Sequence, residues 1–137
     1  MHRDEETFTQ QESLPARSAA VFTALTDPKV QMAWTNAKAS GQARVGSKFT
    51  MFNGFIAGRY LDLLQGRRIL EEWRTRGWPK GSPPSIVEIT LEEKGEETTV
   101  IAVQSLIPSG CIEAIVREWH DRYWRPLRTY LEGISGS

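Results

Sequence analysis

Few side chains in this sequence have the type and spacing that catalysis or metal binding requires. The chain has two histidines, His2 and His120, and a single cysteine, Cys111. Metal sites and nucleophilic centres need several such groups that converge on one point. Neither histidine nor the cysteine has a second ligand or a base at a useful spacing. The sequence therefore predicts no catalytic residue, no metal site and no cofactor.

Three glutamate doublets, Glu71-Glu72, Glu92-Glu93 and Glu96-Glu97, resemble acid–base pairs. Adjacent residues of a β-strand point to opposite faces, so two carboxyls of a doublet within a strand diverge. The doublets do not indicate general acid–base catalysis. We interpret the sequence as that of a binding protein rather than an enzyme.

Composition narrows the class of partner. The 17 basic and 17 acidic residues cancel, so no overall field attracts nucleic acid or an anionic membrane. No apolar run approaches the ~20 residues of a membrane span, and the N-terminus lacks an apolar signal segment. The single cysteine fits a reducing compartment. We expect one cytoplasmic domain over residues 1–137, with no nucleic-acid or membrane partner.

Two short helices are predicted near the N-terminus. Residues 1–12 fit either an edge strand or a partly disordered tail. Ser13-Leu14-Pro15 is typical of a helix start, because proline suits the first turn. Asp27 is placed to cap a second helix that runs toward Trp34, which is expected to fill the core.

From Gly46 onward the apolar pattern changes to the two-residue period of antiparallel strands. The Asn53-Gly54 pair predicts a hairpin turn, and the glycines and prolines of residues 77–84 predict a loop. The expected buried positions alternate along each strand: Phe49 and Met51; Ile56, Gly58 and Tyr60; Ile69 and Trp73; Val87, Ile89 and Leu91; Val100, Ala102 and Leu106. Leu63 is predicted to point outward with Ala57, Arg59 and Leu61.

A long amphipathic helix is predicted from about Cys111 to Leu131, with Pro126 expected to kink it. Its apolar stripe comprises Ile112, Ile115, Val116, Trp119, Tyr123, Leu127 and Leu131. Short helices, a series of strands and one long helix are typical of an α+β fold in which a curved sheet holds a helix.

An ordered series of short motifs carries a family resemblance over residues 14–131. The series comprises Phe22-x-Ala24-Leu25-Thr26-Asp27-Pro28, Trp34, Gly46-x-Lys48-Phe49, Gly54-x-x-x-Gly58, Trp73-Arg74, Trp78-Pro79-x-Gly81, Glu97-Thr98-Thr99 and Trp119-x-x-x-Tyr123-Trp124. It resembles the C-terminal-type domain of the activators of heat-shock protein 90 ATPase, in the START-like helix-grip superfamily. The pattern departs at Glu118, where that family usually has glycine.

The resemblance implies a helix-grip fold of about six antiparallel strands around the C-terminal helix. It also implies a co-chaperone role in protein folding and the stress response, in which the domain binds the heat-shock protein 90 chaperone and stimulates its ATPase. Docking is expected to use exposed basic and aromatic residues, namely Arg67, Arg68, Arg74, Trp78 and Lys80. Trp78 fits two roles equally well, an interface anchor and a lid over the sheet edge.

A carrier of a small hydrophobic ligand is the alternative function. The ligand would then lie in a cavity between the sheet and the C-terminal helix, lined by Phe49, Met51, Trp73, Trp119 and Tyr123. The competing interpretation is that these large side chains simply fill the core, since aromatic residues supply the most buried area. A hollow or a filled interior decides between the two.

Overall fold

The computed structural model describes residues 5–135. Six strands and four α-helices follow one another along the chain, and a π-helical segment separates the last two helices. Their bounds are β1 (Glu5–Leu14), α1 (Ser18–Thr26), α2 (Pro28–Thr35), β2 (Lys48–Met51), β3 (Ile56–Leu64), β4 (Arg68–Thr75), β5 (Ser85–Lys94), β6 (Glu97–Pro108), α3 (Ile112–Glu118), the π-helical segment (Trp119–Trp124) and α4 (Arg125–Ser135).

All six strands form one antiparallel sheet in the order β1-β6-β5-β4-β3-β2. One face is buried beneath the C-terminal helical region, and the other carries charged and polar side chains. The predicted α+β helix-grip fold, with two short helices near the N-terminus, is therefore confirmed. The buried face forms because apolar residues recur at every second strand position.

The N-terminal segment joins the sheet as an edge strand. Strand β1 pairs with β6 through Leu14, which lies opposite Thr98, and residues 1–4 fall outside the described part. The helix start predicted at Ser13-Leu14-Pro15 is wrong, because α1 begins at Ser18. Burial of Leu14 and a 2.7 Å hydrogen bond from Thr98 Oγ1 to the Ala16 carbonyl hold this segment extended.

The predicted second helix and its cap are confirmed. Asp27 Oδ1 accepts a hydrogen bond of 2.9 Å from the Lys29 amide, and Pro28 occupies the first turn of α2. The indole of Trp34 is buried, and its N–H donates to the Ala24 carbonyl at 2.7 Å. This contact joins α2 to α1, so that both helices cover one end of the sheet.

Two irregularities change which side chains face the core. In β3 the register shifts between Tyr60 and Asp62, which places Leu63 opposite the buried Ile69. The outward direction predicted for Leu63 is therefore wrong, because the bulge reverses the alternation. In β6 the backbone of Leu106 has a φ of 62°, and its side chain is 38% exposed. Its predicted burial is also wrong, and Ile107 is buried instead.

The C-terminal helix widens into π-helical geometry from Trp119 to Trp124, and the segment ends two residues before Pro126. A π-helix brings residue i+5 near residue i, and Trp124 accordingly stacks on Trp119 with ring centroids 5.2 Å apart. The 3.6-residue stripe therefore missed the buried Trp124. It also wrongly included Val116, which is 38% exposed.

Candidate functional site

The interior between sheet and helix is occupied by aromatic rings. Each proposed cavity-lining residue, Phe49, Met51, Trp73, Trp119 and Tyr123, lies in the buried core. Tyr123 lies 4.4 Å from Trp119 between ring centroids, and Trp73 lies 6.0 Å from Trp119. Phe49 stacks on Tyr60 at 4.7 Å. The structure places these five side chains in one core cluster, where they pack against one another and against neighbours such as Tyr60.

A buried polar chain fixes the helix to the sheet. The Trp119 indole N–H donates to Gln104 Oε1 at 2.8 Å, and Gln104 Nε2 donates to Ser85 Oγ at 2.9 Å. The Ser85 hydroxyl then donates to the Trp73 carbonyl at 2.7 Å. Gln104 continues the alternation of Val100 and Ala102, so its inward direction could have been inferred from the sequence. Its polar side chain concealed that signal.

Glu71 is the buried acid that the sequence reasoning missed. It lies between Ile69 and Trp73 on the buried face of β4, opposite Tyr60 of β3. Burial raises the pKa of the Glu71 carboxyl to about 8, and the indole N–H of Trp73 offsets only part of that rise. The Trp73 Nε1 atom is close enough to act on the charge but has no hydrogen-bond partner of good geometry. Glu71 is therefore mainly neutral at pH 7.

Two tyrosines surround Glu71, and neither has the environment of a base or a nucleophile. Burial raises the pKa values of Tyr60 and Tyr123 far above the ordinary range, and the charge of Glu71 adds to the rise in both. The Tyr123 hydroxyl donates to Met51 Sδ at 3.2 Å, and Gln31 Nε2 reaches the same sulfur at 3.5 Å. These weak acceptor contacts satisfy the polar atoms without creating a reactive centre.

Only a small cavity lies between the π-helical segment and the sheet within the described residues. Its volume is about 10 Å³, and it is lined by Phe52, Ile56, Trp73, Glu118, Trp119, Arg122 and Tyr123. Ligand sites typically have ~300–1,000 Å³, and even one water needs ~10–15 Å³. The cavity therefore has no room for a lipid-sized or drug-sized molecule.

Glu118 and Arg122 both lie at the rim of this cavity, but the Arg122 guanidinium contacts aromatic rings and does not hydrogen-bond to the Glu118 carboxyl. Arg122 lies over the Phe55 ring at 4.3 Å and over the Phe52 ring at 5.8 Å. Burial raises the pKa of Glu118, while Arg122 and Arg117 oppose the rise. Glu118 Oε2 is buried without a hydrogen-bond partner. Arg122 thus packs over the rings of Phe52 and Phe55 at the edge of the cavity.

The five residues proposed for partner binding do not form one surface. Arg68 begins β4 and Arg67 directly precedes it, whereas Arg74 lies near the end of the strand, about 20 Å away at the usual strand rise. Lys80 is exposed in the loop after β4. Trp78, in the same loop, is half-buried and stacks on Trp73 at 6.4 Å, as the lid interpretation requires.

Arg68 is engaged in contacts within the sheet. Its Nη2 lies 2.7 Å from Glu88 Oε2, and its Nη1 lies 3.0 Å from Asp62 Oδ2.

Replacing Arg68 with alanine is expected to lower the free energy of unfolding by about 1 kcal/mol, since exposed pairs contribute little individually. Urea denaturation measures this change. Arg67→Ala, in which an exposed arginine with no ion pair within the described part of the chain is removed, is the matched control. Equal losses in both variants would contradict the structural role of Arg68.

Comparison with known proteins assigns the chain to a family. Residues 15–132 match the family described as activator of Hsp90 ATPase homolog 1-like protein. The chain belongs to this family. The human activator of 90 kDa heat shock protein ATPase homolog 1 is 29% identical over 128 residues, which cover 93% of this chain and 36% of that protein. An uncharacterized protein of Schizosaccharomyces pombe is 28% identical over 109 residues, covering 80% of this chain and 32% of that protein.

A solved structure supports the fold. An HSP90 activator from Plasmodium falciparum superimposes with a TM-score of 0.83 at 23% identity, covering 95% of this chain and 96% of that one. The chain spans about a third of the length of the curated relatives it matches. The family that the chain belongs to is the one described by Hsp90 activation.

The described residues include neither a membrane-spanning helix nor a cluster of metal ligands. No helix in residues 5–135 is long and apolar enough to cross a membrane. The same residues contain no group of three or more histidine, cysteine, aspartate or glutamate side chains that could hold a metal ion.

Proposed function

We propose that this domain is a co-chaperone that binds the heat-shock protein 90 chaperone and stimulates its ATPase, in support of protein folding and the stress response. The observation that carries the proposal is the match to the Hsp90-activator family over residues 15–132. The domain itself performs no chemistry. It acts in the cytoplasm, where it meets the chaperone through its surface.

The packed interior supports a protein partner over a small-molecule ligand. The space that a carrier would need is filled by Trp73, Trp119 and Tyr123, and the remaining cavity of about 10 Å³ is too small. Glu71 also lacks the open pocket in which an acid could meet a substrate. Function is therefore expected to depend on the exposed residues.

The direct test measures ATP turnover by the chaperone of the same organism, with and without this protein. We expect turnover above the basal rate and saturable binding at micromolar concentrations. This protein without the chaperone serves as the control for intrinsic ATP hydrolysis. Failure to bind at micromolar concentrations would refute the proposal, whereas binding without stimulation would refute only the activating role.

A further inference from the structure

The outer face of strands β2 and β3 carries two like charges directly opposite each other. Lys48 of β2 is the register partner of Arg59 of β3. Both side chains are exposed. Like charges in directly opposed positions destabilise a sheet, because their Cβ atoms lie only ~4.5–5.5 Å apart. A fold that keeps such a pair at its edge hairpin gives up stability there.

A third cation joins the pair, and one acid offsets the set only in part. Arg74 of β4 lies opposite Ala57, on the same exposed face and diagonal to Arg59. Glu72 lies opposite Arg59, yet Lys48, Arg59 and Arg74 make no ion pair among the described residues. This differs from Arg68 on the same strand, which two acids hold. The three cations retain an excess positive charge that faces solvent.

Apolar side chains and a groove adjoin these cations. Val45 and Leu61 flank the backbone hydrogen bond from Gly46 to the Tyr60 carbonyl, and they are 55% and 36% exposed. On the other side, an open groove of about 760 Å³ runs along the edge of β2. Its lining includes Thr50 of β2, Lys38 and Met32, which is 39% exposed. Exposed apolar side chains and this groove therefore border the cations of the β2–β3 hairpin.

We propose that Lys48, Arg59 and Arg74 form a docking patch for an acidic segment of a partner protein, with Val45, Leu61 and the β2 groove receiving its apolar side chains. Charge complementarity identifies the occupant, because unpaired cations opposite one another are relieved by carboxylates from outside. The identity of the partner as the chaperone rests on the proposed function. The acidic character of the docked segment is inferred from this surface alone.

The variants are Lys48→Glu and Arg74→Glu, with Arg67→Glu as the matched control. Arg67 is also exposed and directly precedes the other end of β4, outside the patch. The first probe is a fluorescein-labelled peptide of alternating glutamate and leucine, followed by anisotropy at low and high salt. A peptide with lysine in place of glutamate and a DNA duplex test the class of ligand. The second probe is the chaperone itself.

We expect each patch variant to weaken binding of the acidic peptide about tenfold, and added salt to weaken it for the unmodified protein. Arg67→Glu should stay within about twofold, as for a rim charge. Lys48→Glu places an acid opposite Arg59, so its urea midpoint should be unchanged or higher. Weaker binding by a fold that is no less stable separates docking from a structural role.

The combined results distinguish this inference from the proposed function. If the chaperone binds but Lys48→Glu and Arg74→Glu bind it normally, the docking patch is refuted and the proposed function stands. If the peptide result holds but the chaperone does not bind, the patch stands and the proposed function fails. Tighter binding of the DNA duplex or the lysine peptide than of the acidic peptide would overturn the assignment of an acidic protein segment.

Discussion

Replacing Glu71 with glutamine is expected to stabilise the protein at neutral pH. The carboxyl is buried and its pKa is raised from 4.5 to about 8, so folding forces it to take up a proton that the unfolded chain releases. Each unit of pKa shift corresponds to ~1.36 kcal/mol, so the gain at pH 7 is on the order of 2–3 kcal/mol after the cost of burying an amide. The substitution removes the need to take up that proton on folding.

The sign of the pH dependence follows from the raised pKa. Below pH 4.5 both states bind the proton, and Glu71 costs the fold little. As pH rises from 4.5 to about 8, the unfolded chain loses the proton first, so the stability that Glu71 contributes falls steadily. Above about 8 the folded protein also ionises, and the loss levels off. The advantage of Glu71→Gln over the unmodified protein should grow across that window.

Urea denaturation of both proteins at a series of pH values from 4 to 9 measures this difference (~1.36 kcal/mol per pH unit at its steepest). Glu92→Gln is the control, because Glu92 is an exposed strand residue and its replacement should change the stability little. A Glu71→Gln difference that does not change with pH would show that the folded protein already holds the carboxylate ionised. Water inside the protein would then have to solvate the buried carboxylate.

Gly58→Ala is expected to lower the free energy of unfolding by about 3 kcal/mol or more, because overpacking here involves backbone as well as side chains. A β-carbon at this position would overlap the Glu72 carbonyl oxygen and approach Trp73 Cβ to 2.7 Å and Phe49 Cζ to 2.9 Å. The neighbouring strands cannot move apart without losing the register of β2, β3 and β4. Tryptophan fluorescence in urea follows the loss, and failure to fold also meets the expectation.

Gly133→Ala is the matched control for that substitution. Gly133 lies in α4 with no atom within 4 Å of an added β-carbon. Alanine should therefore stabilise the helix by ~0.5–1 kcal/mol. A Gly58→Ala variant that loses less than about 1 kcal/mol would mean that the sheet relaxes around the new methyl group.

Residues with regular spacing could be placed from the sequence, whereas residues beside irregularities could not. The alternation of Ile69 and Trp73 gave the buried face of β4, and the same alternation placed Glu71 there. The acidic type of Glu71 suggested solvent, although its position indicated the core. Leu63 and Leu106 were misplaced and Trp124 was missed, because of a register shift in β3, a left-handed backbone at Leu106 and a π-helical turn. Such shifts arise from packing between distant segments, which a local pattern does not contain.

In the candidate site too, the sequence predicted which residues matter, but only the fold shows their contacts. The sequence identified the cations of β4, but the pairing of Arg68 with Glu88 depends on the register of β4 against β5. It also named the aromatic residues of the interior, yet only their packing shows that they fill the space. The opposition of Lys48 and Arg59 likewise depends on how the hairpin closes.

By itself, the sequence determined the helix-grip architecture and the family, because periodicity and motif order can be read without coordinates. The tertiary structure decided that the interior is packed, that Glu71 is a buried neutral acid, and that exposed cations gather at the β2–β3 edge. The physical reason is that volume, desolvation and cross-strand charge depend on groups brought together from separate segments. These properties exist only once the chain has folded.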